Sequence, residues 1–71
     1  MRMNKLSIEN LKIADRAEII SAEDHEGVYV QVWRGGLWSY LGGKNDIYFP
    51  STEKAMRTIR RYRKDIPVTS I

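Results

Sequence analysis

The sequence predicts an α+β domain: a short amino-terminal helix, a three- to four-stranded antiparallel sheet in meander order, and a carboxy-terminal helix packed on one sheet face. Three observations carry that prediction. Residues 28–34, VYVQVWR, set Val28, Val30 and Val32 against Tyr29, Gln31 and Trp33 with the period of two that a strand requires. Gly35-Gly36 joins this run to LWSYL, residues 37–41, and two glycines between two such runs are the signal of a tight hairpin. Residues 51–64 hold Ala55, Met56, Ile59 and Tyr62 on one helical face and Arg57, Arg60, Arg61 and Lys64 roughly opposite.

In chain order, residues 7–14 bring Leu6, Ile8, Leu11 and Ile13 within reach of one face of a short helix, with Ser7 as its N-cap. AEIISA, residues 17–22, is rich in isoleucine and runs into the polar residues 23–27, so it reads as a first strand ending in a turn. The Gly-Gly turn sets the hairpin register: Arg34 opposite Leu37, Trp33 opposite Trp38, Val32 opposite Ser39, Gln31 opposite Tyr40 and Val30 opposite Leu41. A second turn, residues 42–46, leads to a short strand at residues 47–49 that Pro50 stops. Ser51 or Thr52 caps the last helix, Glu53 suits the positive end of its dipole, and Pro67 closes it off.

The chain reads as one small domain, residues 1–71. At this length roughly 60% of the unfolded surface is buried on folding, so nearly every large apolar side chain is needed for the core and little room remains for an enclosed active site. With no cysteine there is no disulfide framework and no thiolate zinc site, and nothing demands an oxidising compartment. Charges punctuate the amino-terminal twenty residues, which carry neither a signal-peptide apolar stretch nor a membrane span. The expectation is a cytoplasmic protein that does not engage a membrane.

The net charge of +3 is unevenly spread. Residues 1–51 hold six basic and seven acidic side chains, giving −1, and residues 52–71 hold six basic and two acidic, giving +4. A cationic segment of this kind suits a polyanion, DNA or RNA, or an acidic protein. Its candidate contacts are Arg57, Arg60, Arg61, Arg63 and Lys64, with Arg34 on the hairpin; arginine is the better bidentate phosphate ligand. A solvated polar helix face is the structural alternative.

The alternation has a second consequence. If the carboxy-terminal helix covers the face carrying Val28, Val30, Val32, Leu37 and Leu41, then Tyr29, Trp33, Trp38 and Tyr40 share the other face, more than half of the seven aromatic residues. Such a face can stack on bases. It can equally become a second core under Leu6, Ile8 and Leu11 of the amino-terminal helix, or the contact of a homodimer. The loop Glu23-Asp24-His25-Glu26 reads as a polar turn, because consecutive loop residues do not converge on a metal and no second histidine is present. One histidine supports no nucleophilic triad, and the glycine pairs belong to hairpins rather than to a phosphate loop. No catalytic residue, metal site or cofactor is expected.

Residues 27–62, in the order GVYVQVWR, GG, LWSYLGG, IYF and STEKAMRTIRRY, resemble the βββα domains of plant AP2-type transcription factors and the arm-binding domains of phage-type integrases. Ser51, Glu53 and Ala55 match their helix start. The resemblance implies a sheet laid in the DNA major groove, with contacts from Gln31, Trp33, Arg34, Trp38 and Tyr40. The strands of those families are rich in arginine and lysine, whereas these offer Arg34, with Lys44 in the next turn. The whole chain is also similar to small bacterial proteins grouped as a domain of unknown function, matched at Glu18, Ile20, Ser21, Gly27, Tyr29 and Ser51; that likeness implies a fold and no activity. The sequence reading is therefore a small non-catalytic binding module, with nucleic acid bound by the arginine-rich helix and the hairpin face. The alternative is a protein-interaction or self-associating domain that uses the aromatic face.

Overall fold

The computed structural model describes residues 3–23, 26–43 and 46–71. Its elements are α1 (Lys5–Lys12), β1 (Arg16–Ser21), β2 (Val28–Arg34), β3 (Leu37–Leu41), β4 (Tyr48–Phe49), α2 (Thr52–Tyr62) and β5 (Val68–Ser70). The strands form one sheet in the order β3-β2-β1-β5, with β4 also on β2. The predicted α+β class holds.

The β2–β3 hairpin has the expected register at all five pairs, from Arg34 opposite Leu37 to Val30 opposite Leu41. Gly35 and Gly36 have φ of 55° and 92°, the left-handed values that a two-residue turn matching strand twist demands. β1 pairs antiparallel with the other edge of β2, placing Ala17 opposite Val32 and Ile19 opposite Val30. β4 contributes only Tyr48 and Phe49 and bonds to Tyr29 and Val28, so it continues the line of β3 along the same edge of β2. The expected all-antiparallel meander needs one correction. Residues 68–70, to which the sequence pattern assigns no element, form β5 parallel to β1, with Ala17 opposite Val68, and make the sheet mixed.

Helix boundaries shift where side chains find better partners. α1 begins at Lys5 because Asn4, not Ser7, is the N-cap: its Oδ1 accepts the Ser7 N–H at 2.8 Å. Ser7 is buried inside the helix instead, and its Oγ accepts the Gly42 N–H at 2.8 Å. Ser51 caps α2 as expected, accepting the Lys54 N–H at 3.2 Å. α2 ends at Tyr62 rather than Lys64, since Arg63 turns to extended backbone and sends its side chain to α1.

Both helices lie on the same side of the sheet. Leu11 and Ala14 from the α1 region and Ala55 and Ile59 from α2 join Ala17, Ile19, Val28, Val30, Val32, Leu41 and Phe49 in one buried cluster. Fully burying Leu11, Ile19, Val30, Leu41, Phe49 and Ile59 stabilises the fold by about 1.5–3 kcal/mol each relative to exposure. One of the alternatives for the aromatic face and the expected cover of Leu37 are set aside here. α1 does not cover the aromatic face, because the valine face is wide enough for both helices and Leu11 is needed there; Leu37 at the hairpin tip is 79% exposed, beyond the reach of α2. Among the described residues no helix is long and apolar enough to cross a membrane.

Candidate recognition surface

With both helices on one side, the other sheet face is left uncovered by them. Alternation places Glu18 and Ile20 of β1 there, with Tyr29, Gln31 and Trp33 of β2, Trp38 and Tyr40 of β3, Tyr48 of β4 and Thr69 of β5. Five rings run across it in contact. Trp33 and Trp38 have centroids 6.5 Å apart, Trp38 meets Tyr40 edge-on at 4.9 Å, Tyr40 meets Tyr29 at 5.2 Å, and Tyr29 meets Tyr48 at 6.0 Å. The three edge-to-face contacts add about 0.5–1.5 kcal/mol per pair beyond burial. The array is open: Trp38 is 50% and Tyr40 37% exposed, and Tyr29, Trp33 and Tyr48 are half-buried.

Arg16 and Glu18 terminate the array. Trp33 Nε1 donates to Glu18 Oε1 at 2.7 Å, Arg16 Nη1 donates to the same oxygen at 3.1 Å, and the Arg16 guanidinium lies 4.4 Å over the Trp33 ring. The cation and the carboxylate neutralise each other on the face. Tyr48, Arg16 and Glu18 were absent from the sequence-predicted site. The alternation of RAEIIS, with Ala17 and Ile19 inward, carries the signal that places Arg16 and Glu18 on the aromatic side.

The clustered cations divide into two groups. Arg63 is structural: its Nη1 donates to the carbonyls of Leu11, Lys12 and Ala14 at 3.1, 2.9 and 2.9 Å, closing the carboxy-terminal end of α1, and its Nε pairs with Asp65 at 3.2 Å. That hydrogen bond from Arg63 holds the Asp65 carboxyl below its ordinary pKa. Arg60 Nη1 likewise donates to the Ile66 carbonyl at 3.0 Å. Lys54, Arg57, Arg61 and Lys64 are exposed, with Arg57 bonded to Glu53 at 3.0 Å. Positions 54, 57 and 61 lie along one stripe of α2, and Lys64 stands beyond the end of the helix. Lys54, Arg57, Thr58 and Arg61 line a shallow depression of about 270 Å³ with Phe49 and Pro50.

The structure therefore separates what the sequence reading joined. α2 stands on the valine side, and the rings face away from it. Arg34, exposed at the end of β2, shares the parity of Val32 on the helix side, and it lines a depression of about 190 Å³ at the hairpin edge with Asn10, Ile13, Trp33, Leu37, Trp38 and Ser39. Of the acidic loop, Asp24 and His25 lie outside the described residues, as does Lys44. Among the described residues no group of three or more metal-ligating side chains comes together. A scan against protein-family models, a search of curated proteins and a search of solved structures each return no match.

Proposed function

We propose that this chain is a non-catalytic binding module whose recognition surface is the open face of the sheet, and that its partner is a protein. The observation that carries the reading is the unbroken array of Trp33, Trp38, Tyr40, Tyr29 and Tyr48 on a face no helix covers. Tyrosine and tryptophan dominate binding energy at protein interfaces because they bury large areas while immobilising few torsions. The charge of the face supports a protein over a nucleic acid. Bases stack on rings, but their phosphates need cations, and Arg16 on this face is already matched by Glu18. The test uses a photo-cross-linking residue at position 40 in cells, with Trp38→Ala as the competing variant. A discrete adduct to a protein other than a second copy of this chain, abolished by Trp38→Ala with the fold intact by circular dichroism, is expected; adducts to nucleic acid, to a second copy alone, or none, refute the reading.

A second reading places a polyanion, DNA or RNA, on α2. Its support is the stripe of Lys54, Arg57 and Arg61 on α2, with Lys64 just beyond its end, none of which is held on a backbone carbonyl as Arg60 and Arg63 are. Binding of a generic oligonucleotide would weaken steeply with salt, and Arg57→Ala with Arg61→Ala would lower the salt slope by about 2. Absence of binding at ~50 mM salt, where such contacts are strongest, removes it.

A further inference from the structure

β3 is the outermost strand of the sheet, and it lacks the devices by which edge strands avoid pairing. Its sequence, LWSYL, holds no charge and no proline, and among the described residues only glycines have positive φ. The opposite edge is β5, only three residues long. In a two-residue hairpin the residues flanking the turn exchange hydrogen bonds, as does every second pair beyond them. Leu37, Ser39 and Leu41 therefore bond to β2, and the backbone groups of Trp38 and Tyr40 turn outward. Gly42 has the same parity, and its N–H and C=O reach away from β2 to Ser7 Oγ at 2.8 Å and to the Asn4 N–H at 3.0 Å. The amino-terminal segment thus occupies the edge at Gly42 and leaves Leu37–Leu41 as the open stretch.

We propose that two copies of this chain pair antiparallel through β3, on a two-fold axis at Ser39. LWSYL reads nearly the same in both directions. Centred on Ser39, Leu37 meets Leu41 of the second copy, Trp38 meets Tyr40, and Ser39 meets Ser39. The outward groups of Trp38 and Tyr40 then make four inter-copy hydrogen bonds, and like faces adjoin, so the two aromatic arrays merge into one band. No like charges meet along the strand. Leu6 and Ile13 of the α1 region, seven residues apart and so on one helical face, stand exposed beside the same edge, Ile13 lining the depression with Leu37 and Ser39. Leu6, Ile13, Leu37, Trp38 and Tyr40 are 67%, 49%, 79%, 50% and 37% exposed. Together they present at most on the order of 550 Å² per copy, about 1,100 Å² in all were every one fully covered, just under the range of specific, stable interfaces. The association is weak and depends on concentration. It stands whether or not the open face binds a partner.

Ser39→Cys gives the most direct test. Across the axis Ser39 forms a non-hydrogen-bonded pair with Cα atoms about 4.5 Å apart, within disulfide range, and the chain has no other cysteine. Mild oxidation should convert Ser39→Cys to a disulfide dimer at least ten times faster than Arg61→Cys on the far helix. Ser39→Lys and Ser39→Glu, each placing like charges on the axis, should sediment as monomers alone and as a heterodimer when mixed. Wild-type chain that remains monomeric at millimolar concentration overturns the proposal. So does a dimer in which Ser39→Cys cross-links no faster than Arg61→Cys, which would point to packing through the aromatic faces.

Discussion

Arg63→Ala should unfold this domain at a temperature lower by about 10–20 °C, although its position in an arginine-rich run marks it in sequence as a surface cation. Its Nη1 carries two hydrogens and faces three carbonyls, those of Leu11, Lys12 and Ala14, so it supplies two bonds with the third shared. Hydrogen bonds to a charged group contribute about 1.5–3 kcal/mol each, and the Arg63 side chain is 21% exposed, so water replaces part of the loss. A net cost of about 2–3 kcal/mol follows. That is a large share of the roughly 4–10 kcal/mol expected for a domain of this size, and each kcal/mol moves its midpoint by about 4–8 °C. The assay is thermal unfolding by circular dichroism, with Arg61→Ala as the exposed control, expected within about 0.5 kcal/mol of wild type. Arg63→Lys should recover only part of the loss, because an ammonium lacks the planar fork that spans neighbouring carbonyls. If Arg63→Ala and Arg61→Ala melt within about 3 °C of each other, the bridge from α2 to α1 is not what holds the helices together.

Three further outcomes follow from the geometry. Gly36→Ala forces a Cβ into φ of 92° and should cost about 1–2 kcal/mol in urea unfolding, although nothing crowds the position. Asn4→Ala removes the cap on Ser7 and the Nδ2 bond to the Gly43 carbonyl at 3.0 Å, and should lower the urea midpoint by the equivalent of about 1–2 kcal/mol. The Asp65 carboxyl has a folded pKa below its ordinary value, so its contribution to stability is present above that ordinary value and fades as pH falls through the lowered one. Asp65→Asn should therefore flatten the acid limb of the stability profile and leave its slope at neutral pH unchanged; an unaltered acid limb would refute the Arg63–Asp65 pairing.

Much of the sheet is legible without coordinates because its information is local. Alternation in VYVQVWR and the two glycines after it specify a strand, a turn and five cross-strand pairs within fourteen residues, and the observed register agrees at every pair. The start of α2 is equally local, a serine oxygen within reach of an amide three residues on. The N-cap of α1 is a nearer contest: Asn4 and Ser7 are both good caps, and Ser7 is drawn inward by the Gly42 N–H, 35 residues away. β5 is too short to announce itself, since three residues acquire strand character only when the edge of β1 is there to pair with.

The candidate surface divides along the same line. That Tyr29, Trp33, Trp38 and Tyr40 share one face follows from a period of two and needs no tertiary information. That the face is uncovered does not follow, because an amphipathic helix such as α1 has an apolar stripe and no label saying which sheet face will receive it. Nor does the pattern of arginines say which of them are bound at home. Arg63 and Arg57 look alike in sequence; one reaches back 52 residues to the end of α1, and the other meets Glu53 one turn away on the surface. The sequence by itself determined the hairpin, its register and the sidedness of its rings, because hydrogen-bond geometry and steric alternation act over a few residues. Only the tertiary structure decided that both helices take the valine face, that Arg60 and Arg63 are held on backbone carbonyls and that the rings remain open, because those outcomes depend on how distant segments share a limited apolar surface.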